Sequence, residues 1–457
     1  MRLTPLEPWI QSKISASPGR LLRPDLGAFQ LERLRQTIRL AREKSRFYAG
    51  RLAHAPREIS RLEDLALFPF TTPEDLRKEG PQLLCVSQGD IQRVVTLDTS
   101  GTTGEPKRIY FTAHDQELTI DFFQHGMSTF TTAGDRVMIL LPHERPGSVG
   151  DLLAIGLDRL GAIPVRYGPV RDPQDALALM QAEKINVLVG APVNVLTLAR
   201  FYKVNKKAGW IKPGQVLLST DHVPQAIVAA LESIWGCTVY NHYGMTEMGL
   251  GGGVECQARH GYHLREADLY FEIVHPQTGQ SVPVGEIGEI VFTTLTRQGM
   301  PLIRYRTGDL SRFILDQCPC GTILHTLEKV TRRLSGYVVI QNHPGSMSET
   351  ALDNPALYMT DLDEALFPIP QLVNFSASLV TPHSNASQAK DRLEVKVSVL
   401  PNRTGGIASQ TLLALDSIQV IRIARQTGLL DIQIQVQEFD IASAGSLLKR
   451  VIVRNLR

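Results

Sequence analysis

Between Val94 and Gly244 the chain repeats one pattern, a short apolar run followed by an amphipathic stretch. The runs are residues 136–141, 162–165, 186–189 and 215–218, and the stretches are residues 151–160, 173–183, 193–202 and 224–235. Strands covered on both faces read as continuous apolar segments, and helices of the second kind supply the cover. The alternation therefore predicts an α/β domain with mainly parallel sheet, because parallel neighbours need a crossover connection. After Leu269 the pattern turns strand-rich, with Gly/Pro turns at residues 275–279 and 284–286. A β subdomain over about residues 265–330 fits.

At 457 residues the chain is too long for one core. We expect a large N-terminal domain over residues 1–330 and a small, mobile α+β C-terminal domain over residues 331–457. Charged and small residues thicken at 328–336, where a hinge is placed. Alternation at residues 393–399 and 432–436 predicts two half-buried strands, with one helix over 409–426 between them. Near the N-terminus, residues 27–52 have helical spacing. Thr72 and Pro73 form an N-cap and first-turn pair ahead of Glu74 and Asp75.

Charge is balanced, with a formal net of +2, so no basic surplus points to nucleic acid or an anionic membrane. Residues 1–5 lack the apolar core of a signal peptide, and the most apolar stretch, 185–199, is broken by Asn186, Gly190, Pro192 and Asn194. A cytoplasmic protein with no membrane partner is expected. The five cysteines, an odd number, argue against a disulfide framework.

The segment Thr99-Ser100-Gly101-Thr102-Thr103-Gly104-Glu105-Pro106-Lys107 carries the chemistry. Its glycines allow close backbone approach, its hydroxyls donate hydrogen bonds, and Lys107 adds positive charge, a combination suited to a polyphosphate. The spacing is not that of the G-x-x-x-x-G-K-[ST] loop, and taken alone the segment also fits an ordinary Gly/Thr turn. Two further motifs follow, each after an expected strand: Tyr243-Gly244-Met245-Thr246-Glu247 and Tyr305-Arg306-Thr307-Gly308-Asp309-Leu310. Each alone reads as a turn, but the ordered series is hard to produce by accident.

With these three motifs in order, the chain resembles the acyl-adenylate-forming superfamily and, within it, the phenylacetate–coenzyme A ligase branch. Residues 69–76, 285–309 and Cys318-Pro319-Cys320-Gly321 carry the narrower likeness. The resemblance implies that Thr99, Ser100, Gly101, Thr102, Thr103, Gly104 and Lys107 hold the ATP phosphates. It puts Tyr243 and Gly244 at the adenine, Thr246 on the α-phosphate, Glu247 on Mg2+ and Asp309 on the ribose hydroxyls. Arg332 falls at the family's hinge arginine, and Lys449 is the nearest candidate for its catalytic lysine. The implied reaction joins a small-molecule carboxylate to AMP and hands the acyl group to coenzyme A or a carrier thiol. The resemblance also allows for a homodimer.

Cys256, His263, Cys318 and Cys320 have the composition of a closed tetrahedral zinc site, and relatives in this branch look similar there. The same residues also fit two buried thiols, a surface histidine and a tight turn. Cys85 and Cys237 read as core thiols, and His222, His242 and His260 as turn or surface residues.

The chain departs from the family in places. Leu334 stands where the hinge aspartate is expected, and Gly445 is followed by Ser446-Leu447-Leu448-Lys449-Arg450 instead of directly by lysine. Either Lys449 substitutes or Lys449-Arg450 is a solvated basic pair. Asp221 and His222 replace the small or acidic residues of the adenine-side loop, and residues 142–147 lack the character of an aryl-acid pocket. Two alternatives therefore stand beside the acid–thiol ligase: an adenylyltransferase acting on a cofactor hydroxyl, and a catalytically impaired nucleotide-binding homologue.

Overall fold

The computed structural model describes residues 1–14, 20–97, 106–206, 209–340, 356–381, 390–440 and 450–456. By contact density the chain forms two compact units. One comprises Met1–Asp135, Pro142–Arg166 and Tyr240–Val330, and the other Arg136–Leu141, Tyr167–Val239 and Thr331–Arg457.

In the first unit, helix Arg23–Lys44 buries Leu26, Leu34, Ile38 and Ala41 along one stripe. It does not run on to residue 52 as the spacing predicts. Ser45 is extended, and its hydroxyl accepts from the Tyr48 amide at 3.2 Å, so it caps a second helix, Arg46–Arg51. The cap expected at Thr72 is present. Its hydroxyl accepts from Asp75 N at 3.2 Å, and the Asp75 carboxylate accepts from Thr72 N at 2.8 Å.

Strands Ile91–Leu97 and Lys107–Thr112 pair antiparallel down to Leu97 opposite Lys107. Helix Ala113–Met127 follows at once, capped by Thr112. Strands Leu269–Val274, Gly288–Thr294 and Tyr305–Ser311 form an antiparallel meander. The end of strand Thr238–Tyr243 pairs with Gly253–Glu255, which pairs with Tyr262–Leu264, which pairs with Thr326–Leu327. Phe111, Tyr243, Met248, Phe292 and Tyr305 share one hydrophobic core.

In the second unit the parallel strands Arg136–Leu140, Val187–Gly190 and Gln215–Leu218 lie side by side, as their apolar composition predicts. Helices Pro173–Ala182 and Pro192–Asn205 lie between them along the chain, and Gln225–Trp235 follows the third. Among the described residues the C-terminal sheet has four strands, two more than predicted. Leu372–Thr381 is antiparallel to Asp391–Val399 and parallel to Ile452–Leu456, and Asp391–Val399 is parallel to Leu430–Glu438. The single helix expected over 409–426 is two, Ile407–Asp416 and Gln419–Gln426, bent by 95°. The Ser417 hydroxyl donates to Ala414 O at 2.6 Å, and Ile418 is extended, which ends the first helix. Among the described residues no single helix is long and apolar enough to cross a membrane.

Candidate active site

Strand Thr238–Tyr243 delivers the Tyr-Gly motif, and one short helical turn, Thr246–Met248, carries Thr246 and Glu247. Glycine is required at 244, because a Cβ there would lie 2.5 Å from the Leu250 carbonyl oxygen and 2.9 Å from the His242 ring. Backbone bonds from Leu250 N to Met245 O (3.0 Å) and from Gly252 N to Tyr243 O (2.9 Å) close the loop. Thr246 is half-buried.

Glu247 is buried and forms an ion pair with Lys107. The Tyr305 hydroxyl donates to the same carboxylate at 2.9 Å, and Lys107 Nζ lies 3.5 Å from that hydroxyl. Burial alone would raise the Glu247 carboxyl, but the Lys107 charge and the surrounding donors hold it below the usual carboxylate range. Arg297, which no motif singled out, donates from Nη1 to the Glu247 carbonyl at 2.7 Å.

Asp309 accepts from the Tyr243 hydroxyl at 3.0 Å. The Arg-Thr-Gly-Asp motif lies inside strand Tyr305–Ser311 and not after a strand as predicted. The register shifts opposite Glu289–Val291, and Gly308 takes φ +73°, a bulge that turns Asp309. The bulge is held from both sides. Gly308 N donates to Glu289 Oε1 at 2.9 Å, and Thr307 Oγ1 donates to Ile290 O at 2.7 Å while accepting from Asp309 N at 3.0 Å. Lys107, Glu247 and Tyr305 thus form one bonded set, and Tyr243 with Asp309 a second.

Arg332 belongs to the second unit, where it is exposed and its guanidinium lies over the Tyr358 ring at 5.3 Å. Thr99, Ser100, Gly101, Thr102, Thr103 and Gly104, together with Lys449, lie outside the described residues. His242 is half-buried and lies in a strand, not in a turn. It sits in strand Thr238–Tyr243 with its ring centroid 6.1 Å and 6.3 Å from those of Phe122 and Phe123, and burial pushes its pKa down to about 4.

Cys256, His263, Cys318 and Cys320 are all buried, and their ligand atoms lie within 4.8 Å of one another. Cys256 and Cys318 sulfurs are 3.6 Å apart, and Cys320 Sγ is 3.4 Å from His263 Nε2. The burial of His263 in strand Tyr262–Leu264 rules out the surface-histidine alternative. Desolvation would lower the His263 pKa, but its hydrogen bonds to Cys318 and Cys320 raise it to about 9. Three sulfurs and one nitrogen leave no open position on a four-coordinate ion, so the cluster is compatible with structural zinc. A second element braces the loop. Glu7, on helix Leu6–Ile14, accepts from Thr322 Oγ1 at 2.5 Å and from Ile323 N at 2.9 Å. No sequence signal marked Glu7.

The family model described as "AMP-binding enzyme" matches residues 92–296. Phenylacetate–coenzyme A ligase of Thermus thermophilus is 30% identical over 390 residues, 82% of each chain. The enzyme of the same name from Aromatoleum evansii is 31% identical over 374 residues, 76% of this chain and 82% of its own. The fold is also that of 2-hydroxyisobutyryl-CoA ligase in its postadenylation state with 2-HIB-AMP, with TM-score 0.74 at 19% identity over 95% of this chain and 90% of that one. From Lys107 to Asp309 the clustered residues follow the order in which the three motifs occur, and the chain belongs to the phenylacetate–coenzyme A ligase family of AMP-binding enzymes.

Proposed function

We propose that this chain is an AMP-forming ligase. It activates an organic carboxylate with ATP to an acyl-adenylate and transfers the acyl group to coenzyme A or another thiol. The observation that carries the reading is the pair of bonded sets Lys107–Glu247–Tyr305 and Tyr243–Asp309, both within one unit. In this reading Tyr243 and Gly244 line the adenine and Asp309 holds the ribose hydroxyls, for which a carboxylate has the right lone pairs. Thr246 donates to the α-phosphate. Glu247, a buried ionised carboxylate, fits the hard Mg2+ ion that accompanies ATP, and Lys107 then turns to a phosphate oxygen.

The carboxylate oxygen attacks the α-phosphorus, and pyrophosphate leaves with the electron pair of the broken P–O bond. No covalent enzyme intermediate is required, so the protein contributes positioning and charge. Residues 331–457 act in this reading as a mobile C-terminal domain, with Arg332 at its hinge and Lys449 in the place of the catalytic lysine. Cys256, His263, Cys318 and Cys320 hold a structural Zn2+. Cytoplasmic location and homodimeric assembly complete the proposal; fractionation tests the first and sedimentation the second.

ATP–pyrophosphate exchange with aryl, alkyl and dicarboxylic acids tests the reaction, followed by thioester detection with coenzyme A. Acid-dependent exchange supports adenylation and identifies the acid class. Leu334 at the hinge favours one second reading, transfer of AMP to a cofactor hydroxyl without a thioester step. Exchange without thioester formation would point there, and nucleotide binding without exchange would point to an impaired homologue.

A further inference from the structure

Arg297 is 6% exposed, yet two of its three guanidinium nitrogens, Nε and Nη2, have no hydrogen-bond partner among the described residues. Nη1 donates to the Glu247 carbonyl at 2.7 Å, and the guanidinium lies over the Phe111 ring, 4.5 Å from its centroid. A buried cation with bare N–H groups is unfavourable, and a methionine would cover Phe111 without that cost. The Asp115 and Glu247 carboxylates favour the charge from nearby, but among the described residues no group accepts from Nε or Nη2.

Nor is the guanidinium there by slack in the backbone. The Asp115 carboxylate, at the start of helix Ala113–Met127, accepts from Gln298 N at 2.9 Å and from Gly299 N at 3.1 Å. A Cβ on Gly299 would lie 2.6 Å from Asp115 Oδ2, and Gly299 O accepts from Cys85 N at 3.0 Å. The loop is pinned just past Arg297, which aims the side chain at Glu247.

Lys107 and Phe111 share one face of strand Lys107–Thr112. Lys107 meets the Glu247 carboxylate and Phe111 carries Arg297 to the Glu247 carbonyl, so two cations flank the same residue. The bare nitrogens Nε and Nη2 form one edge of the planar guanidinium, the edge that grips two oxygens of a phosphate at once.

We propose that the Nε/Nη2 edge of Arg297 binds oxygens of the β- and γ-phosphates of the nucleotide and of the departing pyrophosphate. The inference rests on the adenylation reading above. Arg297 transfers no proton; its two N–H groups offset the charge that builds on pyrophosphate as the bond to the α-phosphorus breaks. Because the adenylate no longer carries those phosphates, Arg297 acts in the first half-reaction alone.

The test compares the wild-type full-length protein with Arg297→Met, which keeps the cover on Phe111, and Arg297→Lys, which keeps charge without the fork. With the acid that supports exchange, Arg297→Met should raise the KM for ATP and for pyrophosphate about 10-fold or more, the loss of a charge-assisted contact. Thioester formation from preformed acyl-adenylate and coenzyme A should stay within about 2-fold, and Arg297→Lys should fall between. An unchanged KM for pyrophosphate in a folded Arg297→Met protein overturns the proposal. Equal losses in both half-reactions with a lowered Tm overturn it too, in favour of a structural brace. If the wild type supports no exchange, the adenylation reading has failed on its own. Calorimetric titration of both proteins with magnesium pyrophosphate then decides this one, and equal affinities sink it.

Discussion

The Tyr243 hydroxyl donates to the Asp309 carboxylate at 3.0 Å, joining residues 66 positions apart at the centre of one unit. The bond fixes the carboxylate while leaving it lone pairs for two further donors. Tyr243→Phe keeps the ring but removes this donor from the carboxylate. A bond to a charged group contributes about 1.5–3 kcal/mol, so the KM for ATP should rise roughly 10-fold or more. Steady-state kinetics with varied ATP checks it, and an unchanged KM would remove Asp309 from the ribose.

Lys107 and Glu247 make a second testable pair. Glu247 is 3% exposed, so Lys107→Met leaves a buried carboxylate without its counter-charge. Loss of one partner of a buried pair costs about 3–5 kcal/mol. Adding Glu247→Gln removes the charge as well and should recover a large part of that loss. Urea unfolding of the four proteins of this cycle measures it; additive single effects would mean that the two residues are uncoupled in the fold.

The parallel strands were legible because burial on both faces leaves no polar alternation in segments such as Val187–Gly190. The Thr72 cap was legible because a cap is local, settled by Thr72 and Asp75 three residues apart. Arg297 was not. One arginine in a polar loop gives no signal, and its setting depends on Asp115, 183 positions away from Gln298. In sequence Asp115 looks like half of a capping box, a role it does fill with Thr112. The bulge at Gly308 was missed for a related reason. Gly-Asp reads as a turn, and only the register against Gly288–Thr294 makes it part of a strand.

The Cys/His cluster gives a metal prediction independent of the reaction. If the four buried donors hold the proposed zinc, protein purified without chelator should carry about one zinc per chain by elemental analysis. Cys318→Ser with Cys320→Ser should abolish the metal and lower the Tm, because binding energy at a structural site is folding energy. Metal at background level in the wild type would return these residues to the role of packed thiols beside a buried histidine.

Asp363 gives the pH prediction. It lies on helix Met359–Leu366, is 3% exposed, pairs with the Arg450 guanidinium, and has Asp221 and Glu364 as acidic neighbours. Burial lifts its carboxyl from 3.8 to about 7; Arg450 opposes the rise and the two acids add to it. The folded protein therefore holds a proton that the unfolded chain has released between about pH 4 and pH 7. Stability then falls as pH rises through that window and levels off above it, since the slope follows the difference in bound protons. Asp363→Asn cannot titrate and should lose this dependence. Each tenfold difference in proton affinity between the folded and unfolded chain is worth about 1.4 kcal/mol. The stability of the wild type relative to Asp363→Asn should therefore drop by up to about 4 kcal/mol between pH 4 and pH 8. Urea unfolding of both proteins across that range measures the difference. If the wild type instead gains on the variant as pH rises, the Arg450 pair outweighs burial and Asp363 is ionised throughout.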